Sequence, residues 1–445
     1  MTVAATAVAP LPGHALLVLL LQVGCLLLVA LLLGRLARRF GMPPLVGELA
    51  AGVLLGPSLL SRVAPGAGGW LFPQRVEQMH LLDALGQLGV ILLVGFTGMH
   101  VDLRLVRRQG PRAAGVSAAG LVLPLVLGVW LGLLMPGRLR AEGADPVVFA
   151  LFVGVAMCVS AIPVIARTLL DMRLIHRDVG QLILVAGTVD DAAGWLLVSL
   201  IGAMATTGLH PAGAGLALAH LALLLAGAAT VGRLLVGAAL RAAVRAAVPG
   251  LPAVTAVVLM VLSAAASQAL GLEAALGAFL CGVLMGASKG VDPRELAPLN
   301  TTVTSVLAPL FFAGAGLRMD LSSLADPTVA LWGLAVFGTA VLGKFLGAFA
   351  GGLAARMGRW ECLALGAGMN ARGVIEVIIA MTGVRLGLLT VETYSVVVLV
   401  AVLTSLMAPP LLRLAMDRVA HTPEEAARER RVLALQGADA GGGRP

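Results

Sequence analysis

The chain has 445 residues, of which 59% are hydrophobic and 12% charged; its net charge is +8 and its mean hydropathy +0.99. So little charge cannot cover a soluble protein of this length, which excludes a soluble enzyme and points to an all-α polytopic membrane protein. The positive balance does not imply a nucleic-acid partner, because where the charges lie matters more than their sum.

Apolar runs of roughly 17–25 residues are candidate spans. Thirteen follow in chain order, at 14–33, 43–60, 82–99, 114–135, 146–169, 179–205, 212–236, 252–270, 272–288, 303–317, 328–352, 360–384 and 392–412. The ninth and tenth are the weakest. With the N-terminus outside, the inner loops collect sixteen basic residues, among them Arg35, Arg38, Arg39, Arg173 and Arg177, and the outer loops only six. Positive charge stays on the cytoplasmic side, so an odd number of spans is expected in the cell membrane. Residues 1–417 then form one transmembrane exchanger domain and 418–445 a short cytoplasmic tail. The first run lacks the basic n-region of a signal peptide: Arg35, Arg38 and Arg39 follow it instead. Cys25, Cys158, Cys281 and Cys362 have no CxxC spacing and read as small packing residues. No nucleotide fingerprint follows a strand, the seven histidines show no metal spacing, and no cofactor is expected.

Three pairs of segments recur in the same order. AGVLLGPS at 51–58 matches CGVLMGAS at 281–288, and LLVGFTGMHVDL at 92–103 matches LFFAGAGLRMDL at 310–321. AMCVSAIPVIA at 156–166, with Ser160 and Pro163, matches GMNARGVIEVIIA at 368–380, with Asn370, Arg372 and Glu376. Glycine-rich similarity also arises from helix packing alone, but the shared order favours two copies, about 14–205 and 252–412, joined by a linker helix at 212–236. Seven spans separate equivalent helices, so the copies run oppositely across the bilayer. Inverted repeats with an interrupted helix in each half are the architecture of many secondary transporters. Pro163 removes an amide donor in mid-span, and freed backbone groups at such breaks are tolerated only inside protein or along a wet cavity.

GTVDDAAGW at 187–195 places Asp190 and Asp191 side by side within an apolar run. An acid at the bilayer centre costs ~2.5–3.5 kcal/mol on insertion scales and is a functional-site hypothesis by default. The intramembrane charges are Asp190, Asp191, Lys344, Arg372 and Glu376, three acids against two bases. Ion pairing alone leaves one acid over, to hold either a proton or a cation. A site that swaps those states is an antiporter. Adjacent helix residues point ~100° apart, so one aspartate is expected to pair with Lys344 and the other to face a cavity; periodicity does not say which. Glu48, Glu273, Asp102 and Asp320 read as helix-end caps or anchors.

From PPLVGELAAGVLLGPS through VDD to LGKFLG and MNARGVIEVIIA, the chain resembles the Kef-type and NapA-type cation:proton antiporters of the sodium/hydrogen exchanger superfamily. The resemblance implies that Asp191 carries the cation and the proton and that Asp190 pairs with Lys344. It also implies that Ser160 and Pro163 mark the first broken helix, and Arg372 and Glu376 the second. The family fold implies a mobile core sliding against a scaffold, alternating access, and a homodimer. Kef-type systems often carry Gln-Asp and a nucleotide-binding regulatory domain. Here the pair is Asp-Asp and the tail short, so nucleotide gating within this chain is not expected, and sodium and potassium both remain open. An intramembrane aspartyl protease fits poorly, since its carboxylates come best from different helices. A cation channel needs a continuous pore, and an organic-anion transporter fits the excess of acid less well.

Overall fold

The computed structural model describes residues 11–73, 76–101, 103–208, 211–246, 248–288, 293–422 and 425, excepting the side chains of 76, 103–113, 171, 207, 211, 212, 214 and 293. Expected roles for Asp102, Arg75, His210, Lys289, the basic side chains of 103–113 and most of the 418–445 tail fall outside them. The helices, in chain order, are α1 (Gly13–Arg39), α2 (Pro44–Leu55), α3 (Leu60–Val63), α4 (Pro65–Leu71), α5 (Val76–Met99), α6 (Leu103–Leu134), α7 (Pro146–Cys158), α8 (Ile162–Asp171), α9 (Asp178–Thr207) and α10 (Pro211–Gly227). They continue with α11 (Arg233–Arg245), α12 (Leu251–Ala269), α13 (Ala274–Ala287), α14 (Pro293–Thr302), α15 (Ala308–Leu317), α16 (Pro327–Ala354), α17 (Arg359–Met369), α18 (Val374–Arg385) and α19 (Val391–Met416). Among the described residues no strand forms beyond an isolated bridge between Arg140 and Leu389.

Among the described residues eleven helical segments are long and apolar enough to cross a membrane, and twelve when α17 and α18, bent by 47°, count as one span. The chain is a multi-pass membrane protein. The expected count of thirteen is not confirmed, and the difference sits at the ninth run. There α13 has 14 residues, about 21 Å at 1.5 Å per residue, against a hydrocarbon core of about 30 Å. Its glycines explain how so short a helix stays inside protein: they press it onto its neighbours.

The chain divides into two compact units, one of residues 1–90 and 302–320 and the other of 91–301 and 321–445. In the first, α1 buries Val18, Gln22, Leu26, Ala30 and Gly34 at a spacing of four, one face of a helix. Its other leucines, such as Leu20 and Leu28, remain exposed, as suits a lipid-facing helix. Gln22 Nε2 donates to the Leu71 carbonyl at 2.7 Å, and Arg318 is ion-paired with Asp83. A Cβ on Gly52 would lie 1.9 Å from Ala313 O and 2.6 Å from Leu317 N, and one on Gly316 2.2 Å from Leu49 O. Only glycine permits α2 and α15 to meet so closely.

The second unit contains the counterpart of that contact. A Cβ on Gly282 would lie 1.9 Å from Gly95 O and 3.1 Å from Met99 N, and one on Gly98 2.3 Å from Phe279 O. The segments that match in sequence thus meet through matching atoms, α2 on α15 and α13 on α5. Elsewhere in this unit α16 lies against α6 through Gly343, Gly347 and Gly351, whose Cβ atoms would fall 2.9 Å from Pro124 Cα, 2.5 Å from Ala119 O and 2.7 Å from Val116 Cα. Small residues four apart allow such backbone approach in a membrane. Lys344, next to the first of them, is thereby fixed in the interior with no exposed surface.

Candidate functional site

Two helix breaks meet in the second unit. At the first, α7 ends at Cys158 and the chain runs extended through Val159 to Ala161 before α8 begins. Pro163 lies within the first two positions of α8, where a missing N–H is no loss. It starts the second half-helix rather than kinking the middle of a continuous one. At the second break α17 ends at Met369, Asn370 takes the C-cap position, and α18 begins after Gly373. The segments are joined by the Ala161 amide donating to the Ala371 carbonyl at 3.0 Å.

The last carbonyls of a helix lack intrahelical donors and carry about half a negative charge together. Those of α7 are met by two cations. Arg372 donates through Nη1 to Ala156 O at 3.2 Å and through Nη2 to Met157 O and, at 3.2 Å, to Ala340 O. Lys344 Nζ donates to Cys158 O, and to Gly120 O of α6 at 3.1 Å. The amides at the opposite helix ends face acids. Glu376 Oε2 accepts from the Gly373 amide at 2.7 Å, closing the first turn of α18. Asp191 lies near the Ile162 amide at the start of α8, and near Glu376, Asp190 and Lys344, without closing a hydrogen bond.

The neighbouring aspartates of α9, both wholly buried, divide as their ~100° separation requires. Asp190 is saturated: Lys344 Nζ lies 2.6 Å and Ser160 Oγ 3.0 Å from Oδ2, and Ser117 Oγ donates to Oδ1 at 2.8 Å. Ser160 Oγ also lies 2.7 Å from Met369 O, so this one hydroxyl touches both the ion pair and the end of α17. Asp191 has no hydrogen-bond partner on either oxygen. The Asn370 side-chain amide, Glu376 Oε1 and Arg372 Nε are likewise buried and unpartnered. A buried unpaired polar atom costs roughly 1–3 kcal/mol, more when charged, and a cluster of them beside a carboxylate is chemistry suited to a desolvated cation or a proton. Among the described residues no group of three or more His, Cys, Asp or Glu forms a metal cage.

Every expected site residue lies at this crossing: Asp190, Asp191, Lys344, Ser160, Pro163, Asn370, Arg372 and Glu376. Glu273 stands instead at the start of α13, paired with Arg385 at 2.7 Å. Glu48 is inside α2, in the other unit. Sequence reasoning missed Ser117, the Gly120 carbonyl and Ser405, whose hydroxyl donates to Arg372 O. A lone serine in an apolar run is too common a signal to single out.

Residues 26–416 match the family model described as sodium/hydrogen exchanger, transmembrane. The chain is 30% identical over 408 residues to Cation/H(+) antiporter 17 of Arabidopsis thaliana, covering 90% of this chain and 48% of that protein. It thus spans about half the length of the plant relatives it matches. Over 407 residues it is 30% identical to the Na(+)/H(+) antiporter NhaS4 of Synechocystis, covering 90% of this chain and 97% of that one. The solved sodium proton antiporter MjNhaP1 of Methanocaldococcus jannaschii shares the fold, with a TM-score of 0.67 at 17% identity over 90% of this chain and 99% of that one. A family match across nearly the whole membrane region, on this fold and with crossed helix breaks, places the chain in the sodium/hydrogen exchanger family.

Proposed function

We propose that the chain is a secondary antiporter exchanging a monovalent cation, Na⁺ or K⁺, for protons by alternating access, with Asp191 as the carrier. The observation that carries this reading is the inequality of the two aspartates. Asp190 is held by Lys344 and two hydroxyls, whereas Asp191 is buried beside it with both oxygens unpartnered. A carboxylate without a partner in low dielectric must take up a proton or a cation, and one that alternates between them couples their movements. The relatives named as cation/H(+) and Na(+)/H(+) antiporters support the same reading.

The atom-for-atom likeness of the Gly52–Ala313 and Gly282–Gly95 contacts supports two inverted copies, 14–205 and 252–412, within one exchanger domain at 1–417. A cell-membrane location, an outer N-terminus, a cytoplasmic tail and a homodimer complete the proposal, resting on the loop charges and the family. The test is purified protein in liposomes with a trapped pH dye, to which each cation is added in turn. Asp191→Asn is expected to insert and fold but not to exchange; wild-type rates in that variant overturn the assignment.

A further inference from the structure

Two further polar groups on α9 are buried without partners, and the exchange site does not use them. Trp195 Nε1 and Ser199 Oγ make no hydrogen bond, and neither residue is more than 1% exposed. They follow Asp191 at i+4 and i+8, on one helix face. Each step rises about 6 Å, a gap one water bridges with two hydrogen bonds of about 2.8 Å.

Ser199 is unusual in this protein. Hydroxyls within helices ordinarily bond back to the carbonyl four residues earlier. Thr188 donates to Leu184 O at 2.8 Å, Ser395 to Val391 O at 2.8 Å and Thr404 to Val400 O at 2.8 Å. Ser199 does not, although the same acceptor position exists one turn before it. A buried indole N–H also normally finds an acceptor. Two adjacent exceptions, in line with an unpartnered carboxylate, mark a polar stripe whose hydrogen-bonding capacity is turned away from the protein's own backbone. Buried polar groups of this kind are satisfied by internal water. Seven residues beyond Ser199, on the same face, Thr206 is exposed.

We infer that Asp191, Trp195 and Ser199 line a hydrated route between the carrier carboxylate and the C-terminal end of α9. Through it water solvates the arriving monovalent cation and carries the departing proton. The inference rests on the proposed antiport for its purpose but not for its existence. Trp195 and Ser199 are positioning residues: they hold water, and Asp191 holds the ion.

The experiment is X-ray hydroxyl-radical labelling of the full chain in nanodiscs, read by mass spectrometry, because radicals born from bound water oxidise the side chains beside it. Trp195 is expected to be oxidised despite its burial, and its labelling to fall sharply in Ser199→Val. In liposomes Trp195→Phe and Ser199→Ala are expected to slow turnover while leaving the half-saturating cation concentration unchanged, with Ser199→Thr restoring the rate. Trp195 as silent as the buried ring of Phe149, or turnover unchanged in both variants, overturns the route. If Trp195 labels while Asp191→Asn still exchanges, the antiport assignment falls and the hydrated stripe stands. If Asp191→Asn is inactive and Trp195 silent, the stripe alone falls.

Discussion

The two helix breaks solve one electrostatic problem in opposite ways. Between Ala156 and Ala166 the first carries no charged residue. The exposed carbonyls of α7 are met by Lys344 from α16 and Arg372 from the other break, and the amide end of α8 has Asp191 of α9 near it without a closed hydrogen bond. The second break supplies its own charged groups, Glu376 capping α18 from within its first turn and Arg372 lying in the connecting segment, while neutral donors from Ser160, Ala161 and Ser405 meet its carbonyls. A break capped by borrowed groups is sensitive to the helices that lend them. One whose charged cap comes from its own sequence depends less on them. The borrowed set includes both groups proposed to titrate or bind the ion, so ion binding acts on the first break more directly than on the second.

The sharpest way to break that contrast is Arg372→Ala. It leaves the carbonyls of Ala156, Met157 and Ala340 without the guanidinium, and buried acceptors stripped of a charged donor cost roughly 3–5 kcal/mol together. A large fall in the thermal unfolding midpoint in detergent is expected. An unchanged midpoint means that α7 is capped otherwise and the contrast is wrong.

Lys344→Gln comes next, at about 2–3 kcal/mol, because Ser117 still donates to Asp190 and the acid is free to protonate. Its larger signature is in transport. A cation competing for Asp190 would break the pair and release a second proton, so wild type is expected to move more protons than cations per cycle. Flux in liposomes clamped at different potentials should depend on voltage in wild type and lose that dependence in the variant. Wild-type rates that ignore voltage make the pair structural.

Glu376→Ala tests the self-sufficient break. It removes one cap hydrogen bond, worth about 1 kcal/mol, and Glu376→Gln, which keeps an acceptor for the Gly373 amide, should recover most of it. A loss as large as that of Arg372→Ala would show that the second break is no more independent than the first.

Much of this site was legible because charge is scarce in the chain: the five ionisable residues at the crossing, Asp190, Asp191, Lys344, Arg372 and Glu376, leave few ways to be arranged. The breaks were legible from Pro163 and from the run Asn370 to Gly373, and the helix-end logic followed from backbone dipoles. What the sequence withheld was direction. Asp190 and Asp191 both lie in apolar flanks, so periodicity cannot say which meets Lys344; the answer depends on how Gly343, Gly347 and Gly351 seat α16 on α6. The shortness of α13 was hidden for a similar reason, since apolar length alone does not separate a full span from a helix buried among others.

A third borrowed cap lies outside the membrane, where it can be titrated. The N-terminus of α9, the helix that carries both aspartates, has no cap from its own residue Arg177. Glu425 supplies one from beyond α19: its Oε1 accepts from the Asp178 amide at 2.8 Å, and its Oε2 accepts from Arg177 Nε at 3.0 Å and the Thr422 amide at 3.0 Å. Arg177 also donates to Val419 O at 3.0 Å and Ala420 O at 3.1 Å, tying the segment down. Burial opposes ionisation of Glu425, but the amides and the guanidinium outweigh it, and its carboxyl lies below the ordinary 4.5. A depressed carboxyl contributes its stabilisation in full above the ordinary value and loses it as pH falls through the depressed one. Protection factors at the amides of Val179 to Leu182, corrected for the intrinsic pH dependence of exchange, should therefore be high and flat above about pH 4.5, then fall relative to the rest of α9 on acidification. Glu425→Gln should raise exchange there by the equivalent of about 1 kcal/mol at neutral pH and remove the acid-dependent step. A step that persists in the variant would place the titrating group elsewhere and leave α9 capped by its own sequence, as α18 is.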